Sequence, residues 1–160
     1  MARTQVAIIG AGPSGLLLSQ LLYVHGVDSV VLERQSRGYI EGRIRAGVLE
    51  QGTVDLLTMA KVDQRLQRER LVHDGFALGF AGRWFRVDLR GLTGNGVSIY
   101  GQTEMTKDLM DARAAAGSPP IFEAGDVSIS GFDGDHPTVR YTHEGGTREL
   151  VCDYIVGCDG

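Results

Sequence analysis

The sequence predicts an α/β fold whose central sheet is parallel. A short apolar run, residues 5–9, leads into a glycine turn and then into apolar residues at helical spacing. A second apolar run, 29–32, follows that helix and completes a strand–helix–strand unit with two parallel strands. A third run, 154–157, comes after a group of alternating segments and predicts a return to the same sheet.

The turn after the first strand has the G-x-G-x-x-G spacing of dinucleotide-binding turns, with glycines at Gly10, Gly12 and Gly15. The first glycine allows a sharp turn, the second leaves space for a pyrophosphate, and the third lets the helix pack closely on the strand. Pro13 suits the first helical turn, where a backbone N–H is not needed. The positive end of the helix is then expected to face phosphates.

An acidic residue, Glu33, follows the second strand and lies 18 residues after Gly15. This offset is close to the one expected for a carboxylate that binds the ribose of a dinucleotide. The simpler interpretation is a strand–helix–strand unit with a tight turn and a solvated Glu33. The strand before the turn and the helix after it favour the dinucleotide site. The motif alone leaves open whether the ligand is NAD or FAD.

Composition and charge argue against several other classes of protein. The 160 residues carry 16 basic and 20 acidic side chains, so the net charge of −4 gives no reason to expect nucleic acid or an anionic membrane as a partner. No apolar run approaches the ~20 residues that span a bilayer, and we expect no signal peptide before the first strand. Cys152, Cys158 and the scattered histidines lack metal-ligand spacing, so we expect no metal site and a reduced, cytoplasmic compartment.

The first helix is predicted over residues 13–25, with Gly26 ending it. After the strand at 29–32, the connection 33–48 is punctuated by glycines and carries several arginines. These are Arg34, Arg37, Arg43 and Arg45. Guanidinium groups suit phosphate oxygens, and loops at strand ends carry binding sites. A solvated loop is the interpretation we prefer for Arg37, whereas the preceding dinucleotide motif favours function for the last two.

A second helix is predicted over residues 49–60, with Val54, Leu57 and Ala60 as its packing stripe. The charged segment 61–70 is predicted to be helical and exposed. An antiparallel unit follows between residues 73 and 100. Its predicted strands, separated by glycine-containing turns, are 73–80, 84–89 and 97–100. Because a plain strand–helix–strand repeat has no such unit, we expect it to begin a second sheet.

The last third of the chain predicts a helix and a meander. The helix is expected over 104–116, with Thr103 as its N-cap and Gly117 ending it. A short strand is expected at 121–124. Three alternating segments then predict a three-stranded meander, at 127–132, 138–143 and 147–151.

Several motifs resemble those of flavoprotein aromatic hydroxylases. A meander in place of a helix as the late crossover is similar to the Rossmann-like FAD domain of the glutathione-reductase type, and Cys158-Asp159-Gly160 resembles the Asp-Gly motif of the hydroxylases. The sequence GRIRAGVLEQ at 42–51, with LVH at 71–73 and YGQTE at 100–104, resembles the family of 4-hydroxybenzoate 3-monooxygenases. The resemblance extends over all 160 residues and covers well under half of a complete member.

The resemblance implies an FAD site along the glycine turn and the arginine connection. The residues implied to hold the pyrophosphate are Gly10, Gly12, Pro13, Ser14 and Gly15, while Glu33 is implied to hold the adenosine ribose. The residues implied to run along the flavin are Arg43, Ile44, Arg45, Ala46, Gly47 and Val48, with Arg45 near the pyrophosphate. The remaining implied contacts are Gln102, Asp159 and Gly160, with Asp159 near the phosphates and the ribityl chain.

Two further roles follow from the same resemblance. Arg34 and Tyr39 match a segment that looks like the NADPH-selecting region. His73 matches the outer histidine of a proton relay to the substrate phenol and is the one catalytic candidate. A surface imidazole at the start of a strand is the alternative for His73, and the residues alone favour it.

The implied activity is that of an FAD-dependent monooxygenase that uses NADPH and O2 to convert 4-hydroxybenzoate to 3,4-dihydroxybenzoate in aromatic catabolism. We expect residues 1–160 to be an incomplete FAD-binding domain, in which about 73–100 begin the substrate-domain sheet. Because the aromatic-acid pocket and the second flavin motif are missing, we expect this segment alone to be inactive, and the complete protein to be a cytoplasmic homodimer. The alternatives are an FAD-dependent hydroxylase of another aromatic acid and a nucleotide-binding module without catalysis.

Overall fold

The computed structural model describes residues 2–160 and gives this part of the chain twelve strands and six helices. The strands are β1 (Ala2–Arg3), β2 (Val6–Ile9), β3 (Ser29–Leu32), β4 (Val48–Leu49), β5 (Leu71–His73), β6 (Gly75–Phe80), β7 (Arg83–Asp88), β8 (Val97–Ile99), β9 (Gly125–Ser130), β10 (Thr138–His143), β11 (Gly146–Val151) and β12 (Tyr154–Gly157). The helices are α1 (Pro13–Val24), α2 (Arg37–Gly42), α3 (Gln51–Met59), α4 (Gln64–Glu69), α5 (Leu89–Thr93) and α6 (Gln102–Ala115).

The parallel sheet is confirmed, with strand order β12-β2-β3. The segment 121–124, predicted as a strand, lies next to β3. It pairs with β3 at only one parallel bridge, between Leu32 and Ile121. Ile121 donates to Val31 O at 2.8 Å and accepts from Glu33 N at 2.9 Å. The strand stops there because Glu123 turns the chain with a φ of +57°.

Successive side chains of β2 point to opposite faces of the sheet, and the two faces pack in two different apolar clusters. Val6 and Ile8 pack with residues of the helices, including Leu16 and Leu109, in one apolar cluster. Ala7 packs in a second cluster under the meander, together with residues such as Val139. The sheet is therefore covered by helices on one face and by the meander on the other.

The predicted three-stranded meander is confirmed, in the order β11-β10-β9. Its second turn, Glu144-Gly145, has two positive φ angles of 51° and 73°, as a two-residue hairpin loop with matching twist requires. No sequence pattern predicts β1, whose two residues pair in parallel with Leu150 and Val151 of β11. So short an edge strand has no periodicity of its own and forms only because β11 offers a partner.

The packing stripe of the second predicted helix is confirmed, since Val54, Leu57 and Ala60 are all buried. The helix begins two residues later than predicted because Val48 and Leu49 pair with β8 instead. The next segment is helical only over α4, and it is not wholly exposed. In it, Leu66 is buried in the helical core.

The antiparallel region differs from the prediction in its pairing. The hairpin β6–β7 forms a sheet by itself, with its tip at Ala81-Gly82. The third predicted strand, β8, does not extend this hairpin; it lies between β4 and β5 in a separate sheet. The short helix α5, capped by the Asp88 side chain at Gly91 N, diverts the chain between them.

Two predictions around the binding region are wrong. Thr103 is not the N-cap of α6, because the helix begins at Gln102 after Gly101 and the Thr103 hydroxyl donates to Arg43 O at 3.0 Å. The connection 33–48 is not all loop, since it contains α2, whose Ser36 hydroxyl accepts from Tyr39 N at 3.2 Å. Within residues 2–160, no helix is both long and apolar enough to cross a membrane.

Candidate functional site

A cleft of about 1250 Å³ lies at the carboxyl ends of the parallel strands, where open α/β sheets bind ligands. The residues after β2, β3 and β12 form its floor, and the start of β9 forms one wall. Many of the predicted cofactor residues line it. These are Gly10, Gly12, Pro13, Ser14, Glu33, Arg34, Tyr39, Arg43, Arg45, Gln102, Asp159 and Gly160.

Gly10 lies where the ends of three strands meet. Its N–H donates to Leu32 O, and Cys158 N donates to Ile9 O, each at 2.7 Å. Gly10 has a φ of +108°, and a Cβ there would lie 2.4 Å from the carbonyl oxygen of Cys158. The first glycine therefore serves the turn, as predicted, and also admits the chain after β12 to the floor of the cleft.

The third glycine is required by close packing inside the turn. A Cβ at Gly15 would lie 2.0 Å from Gly10 O, a separation that backbone atoms cannot relieve without moving the helix. Gly12 is different, because the nearest atom to its missing Cβ is Cys158 O at 3.9 Å. No packing within residues 2–160 requires glycine there, whereas a ligand approaching the backbone from the cleft would.

The amino end of α1 provides the polar groups for such a ligand. Pro13 begins the helix after Gly12, whose backbone is extended (φ −70°, ψ 176°) and whose cap position has no side-chain hydrogen bond. The N–H groups of Ser14 and Gly15 lie in the first turn, where an α-helix supplies no acceptor. Donor groups at a positive helix end, beside an open glycine, fit the pyrophosphate of FAD.

Glu33 is half-buried at the end of β3, and both of its carboxylate oxygens already accept backbone hydrogen bonds. Oε2 accepts from Ala11 N and Oε1 accepts from Gln35 N, each at 2.8 Å. Each oxygen retains a further lone pair, and the residue lines the cleft. The carboxylate is thus held in place by the backbone and can still accept from ribose hydroxyls.

The segment 43–48, which is predicted to lie along the flavin, is hydrogen-bonded to residues 100–103 at the start of α6. Arg43 and Arg45 reach the cleft, while Ala46 and Val48 line an adjoining hollow of about 290 Å³ together with Pro13. Ile44 is 95% exposed.

The side chains in and around α2 differ in whether they line the cleft. Arg34 and Tyr39 are exposed and line the cleft, and the Arg43 guanidinium lies 5.8 Å from the centre of the Tyr39 ring. Arg37 is absent from the cleft lining. It begins α2 and forms ion pairs with Glu41, at 2.7 Å, and with Asp111. The interpretation of Arg37 as part of a solvated loop is therefore wrong, and its pair with Asp111 ties α2 to α6.

Some predicted site residues lie outside both hollows. Gly15, Ile44 and Gly47 line neither, although all three belong to segments that do. His73 is exposed on β5, paired in register with Val97, away from the cleft. Residues 2–160 therefore give His73 no contact with the proposed cofactor site.

The cleft also contains residues that the sequence analysis did not single out. Asp126, Ser128 and Phe132 form the wall at β9, and Asp126 has a φ of +48° and accepts from the Thr142 hydroxyl at 3.1 Å. A signal for Asp126 was available, because it closely follows the strand predicted at 121–124. The carboxyl ends of parallel strands meet at one edge, where ligands bind.

Comparison with known proteins places these features in one family. A family model described as FAD binding domain matches residues 3–160. The p-hydroxybenzoate hydroxylase of Acinetobacter baylyi is 50% identical over 159 residues, which cover 99% of this chain and 39% of that protein. The 12-dehydrotetracycline 5-monooxygenase/anhydrotetracycline 6-monooxygenase of Streptomyces rimosus is 32% identical over 161 residues, covering 99% of this chain and 31% of that protein.

Solved structures share the fold. The p-nitrophenol 4-monooxygenase PnpA of Pseudomonas putida superposes with a TM-score of 0.82 at 19% identity, covering 100% of this chain and 42% of that one. The OxyS anhydrotetracycline hydroxylase of Streptomyces rimosus gives 0.78 at 28% identity, covering 99% and 32%. In each comparison the chain spans less than half the length of the protein it matches.

Proposed function

This chain belongs to the family of FAD binding domains, and on that premise we propose that it is the FAD-binding part of an NADPH-dependent hydroxylase of 4-hydroxybenzoate. The observation that carries the proposal is the open backbone at Gly12. Gly12 lines the cleft beside the helix end, in the same cleft as Glu33 and as Arg43 and Arg45 of the segment 43–48. A dinucleotide extended through the cleft would meet all three.

Each part of FAD has a place among these residues. The pyrophosphate would lie at the amino end of α1, against Gly12 and Ser14, and the adenosine ribose at the Glu33 carboxylate. The flavin would lie along residues 43–48 and Gln102. Asp159 and Gly160, which follow β12, line the same cleft and would lie beside the phosphates and the ribityl chain.

When bound, FAD supplies the redox chemistry, by taking two electrons from NADPH and activating O2. The overall reaction would consume 4-hydroxybenzoate, NADPH, O2 and a proton, and give 3,4-dihydroxybenzoate, NADP⁺ and water. The residues described here bind and orient the cofactor. The substrate assignment is supported by the 50% identity to a p-hydroxybenzoate hydroxylase.

NADPH recognition is assigned to Arg34 and Tyr39. Arg34 is exposed at the rim of the cleft and takes part in no ion pair within residues 2–160. A free guanidinium forms charge-assisted hydrogen bonds with a phosphate, so it would favour NADPH through the 2′-phosphate that NADH lacks.

His73 is assigned to proton exit from the substrate phenol. Its support is chemical, since imidazole exchanges protons near neutral pH and the side chain is exposed to water, as the outer end of a relay must be. The hairpin β6–β7 is assigned to the start of a substrate-domain sheet, because Phe76, Leu78 and Phe85 leave one of its faces apolar and exposed. The complete protein is further proposed to be a cytoplasmic homodimer.

The proposal is tested on the complete protein encoded by the reading frame. We expect it to purify yellow, to release FAD on denaturation, and to oxidise NADPH faster when 4-hydroxybenzoate is added, with 3,4-dihydroxybenzoate as product. A panel of other aromatic acids distinguishes a hydroxylase of different specificity. A colourless protein that binds NAD tightly and ignores FAD would contradict the assignment of cofactor and activity alike.

A further inference from the structure

A polar cluster joins α4, α6 and the residue after β8 outside the cleft lining. The Asp108 carboxylate is its centre, because Oδ2 accepts from the Tyr100 hydroxyl at 2.5 Å and Oδ1 accepts from Arg65 Nε at 2.8 Å. Arg65 also donates to the backbone oxygen of Glu104 at 3.0 Å and pairs with the Glu104 carboxylate. The Arg65 guanidinium lies 5.5 Å from the centre of the Tyr100 ring, so Arg65 and Tyr100 interact with each other as well as with Asp108.

The centre of the cluster is shielded from water and its edge is not. Tyr100 is 5% exposed and the Asp108 side chain 19%, whereas the side chains of Arg65 and Glu104 are 28% and 46% exposed. Burial, and then the hydrogen bond to Asp108, raise the pKa of Tyr100 above its ordinary value. Partial burial opposes the charge on Arg65, but its hydrogen bonds to Glu104 and Asp108 prevail and raise its pKa. The phenol thus stays a donor and the guanidinium stays charged.

Residues 43–48, which the proposed function places along the flavin and which we call the flavin-facing segment, are hydrogen-bonded to the backbone beside this cluster. Tyr100 N donates to Gly47 O at 2.7 Å, and Gln102 N donates to Ala46 O at 3.2 Å. The Thr103 hydroxyl donates to Arg43 O at 3.0 Å. Residues 43–47 are therefore fixed to residues 100–103 by three hydrogen bonds.

The contact between the two segments is also close. A Cβ at Gly47 would lie 3.0 Å from Gly101 Cα and 3.1 Å from Tyr100 O. The absence of a side chain at Gly47 thus allows its backbone to lie close to that of Tyr100 and Gly101.

We propose that Asp108 is a positioning residue, which sets the flavin-facing segment against the cofactor by fixing Tyr100; this inference rests on the proposed FAD site. Asp108 is suited to this because it binds the Tyr100 side chain and the Arg65 guanidinium at the same time. Without its carboxylate, the buried phenol loses its acceptor, and the hydrogen-bonded backbone of Tyr100 loses its anchor. The effect is expected at the flavin end of the site and not at the adenosine end.

The test compares FAD with ADP, which has the adenosine and pyrophosphate but no flavin. The complete protein is stripped of cofactor, and the Kd of each ligand is measured for wild type, Asp108→Asn, Tyr100→Phe and Glu69→Gln. Glu69 is the matched control because its carboxylate lies 3.6 Å from the same Arg65 but forms no hydrogen bond or ion pair with residues 100–103 in the described structure. The visible absorption and circular dichroism of bound FAD report the surroundings of the flavin.

In Asp108→Asn the amide keeps one acceptor oxygen, so either Tyr100 or Arg65 loses its partner. FAD binding is expected to weaken about tenfold, the scale of one hydrogen bond to a charged group. The substitution should also change the flavin spectrum while affecting ADP much less. Tyr100→Phe should act in the same direction and Glu69→Gln should match wild type. Equal weakening of FAD and ADP, or unchanged FAD binding with an unchanged spectrum, would overturn the proposal and leave the FAD site intact.

Two remaining outcomes are also decisive. If Asp108→Asn does not fold, Tyr100→Phe decides, and wild-type FAD affinity with a wild-type flavin spectrum in that variant overturns the proposal. If wild type itself binds no FAD, the proposed function fails together with this inference. That result differs from the one above, in which wild type binds FAD and the variants do not differ from it.

Discussion

The Oε2 atom of Glu33 accepts a 2.8 Å hydrogen bond from the backbone N–H of Ala11, which ties the end of β3 to the glycine turn that follows β2. The other oxygen accepts from Gln35 N at the same distance. The carboxylate proposed to bind ribose therefore also holds the floor of the cleft together.

Glu33→Gln should affect both functions of the carboxylate. The amide retains one oxygen acceptor, so one backbone N–H loses its partner and the ribose meets a neutral group. We expect FAD binding to weaken by about 1–3 kcal/mol, measured by titration of the cofactor-free protein, with a lower Tm. Glu50→Gln, an exposed carboxylate without a side-chain cap hydrogen bond, is the control. Unchanged FAD affinity would show that Glu33 serves the fold alone.

The second and third glycines of the motif, Gly12 and Gly15, should respond differently to alanine. Gly15→Ala places a Cβ 2.0 Å from Gly10 O, so the free energy of unfolding should fall by roughly 1–3 kcal/mol or more. Gly12→Ala has space within the protein, so the Tm should be retained. FAD affinity should nevertheless fall at least about tenfold, or 1.4 kcal/mol, because the methyl group occupies the approach of the pyrophosphate. A Gly12→Ala protein that binds FAD normally would contradict the assigned path.

Arg34→Ser should reduce the preference of the complete enzyme for NADPH. Removing a charge-assisted hydrogen bond to the 2′-phosphate should raise the KM for NADPH roughly tenfold and leave that for NADH unchanged. Steady-state rates with each coenzyme measure this, with Arg148→Ser on the meander as the control. If wild type uses NADH and NADPH equally, the assignment of Arg34 is wrong.

His73→Asn should leave FAD binding and the fold intact, because the side chain is exposed. If the imidazole is the outer end of a proton relay, substrate-stimulated flavin reduction or hydroxylation should slow by up to about 10²-fold. Stopped-flow measurements of both steps, with His136→Asn as the control, test it. Rates identical to those of wild type would make His73 a surface residue.

Tyr100 should contribute to stability only while its phenol is protonated. Its pKa is raised in the folded protein by burial and by Asp108, so the contribution is complete below the unfolded value of about 10. It is lost as the pH rises through the folded pKa. Urea unfolding at about pH 8–11 should therefore show a steeper loss for wild type than for Tyr100→Phe. Parallel curves would mean that folding does not shift this phenol.

Local patterns in the sequence determined the main features of the fold. The apolar run before Gly10, the spacing to Gly15 and the carboxylate at Glu33 predicted the first strand, the turn, the helix and the edge where a dinucleotide would bind. These features were predictable because neighbouring residues set them: periodicity determines which face is buried, and glycine determines where the backbone can turn. The meander was predictable for the same reason.

Only the tertiary structure decided which segments meet. β8 pairs with β4 and β5 and not with the adjacent hairpin, because strand partners are chosen by packing between distant parts of the chain. Thr103 donates to Arg43 O in place of capping its own helix, since a hydroxyl binds whichever acceptor the fold brings near it. Likewise, nothing local to Tyr100 shows that Asp108 and Arg65 converge on it. The residues proposed to contact the cofactor could be predicted from sequence motifs, whereas those that hold them in place depend on contacts that exist only after folding.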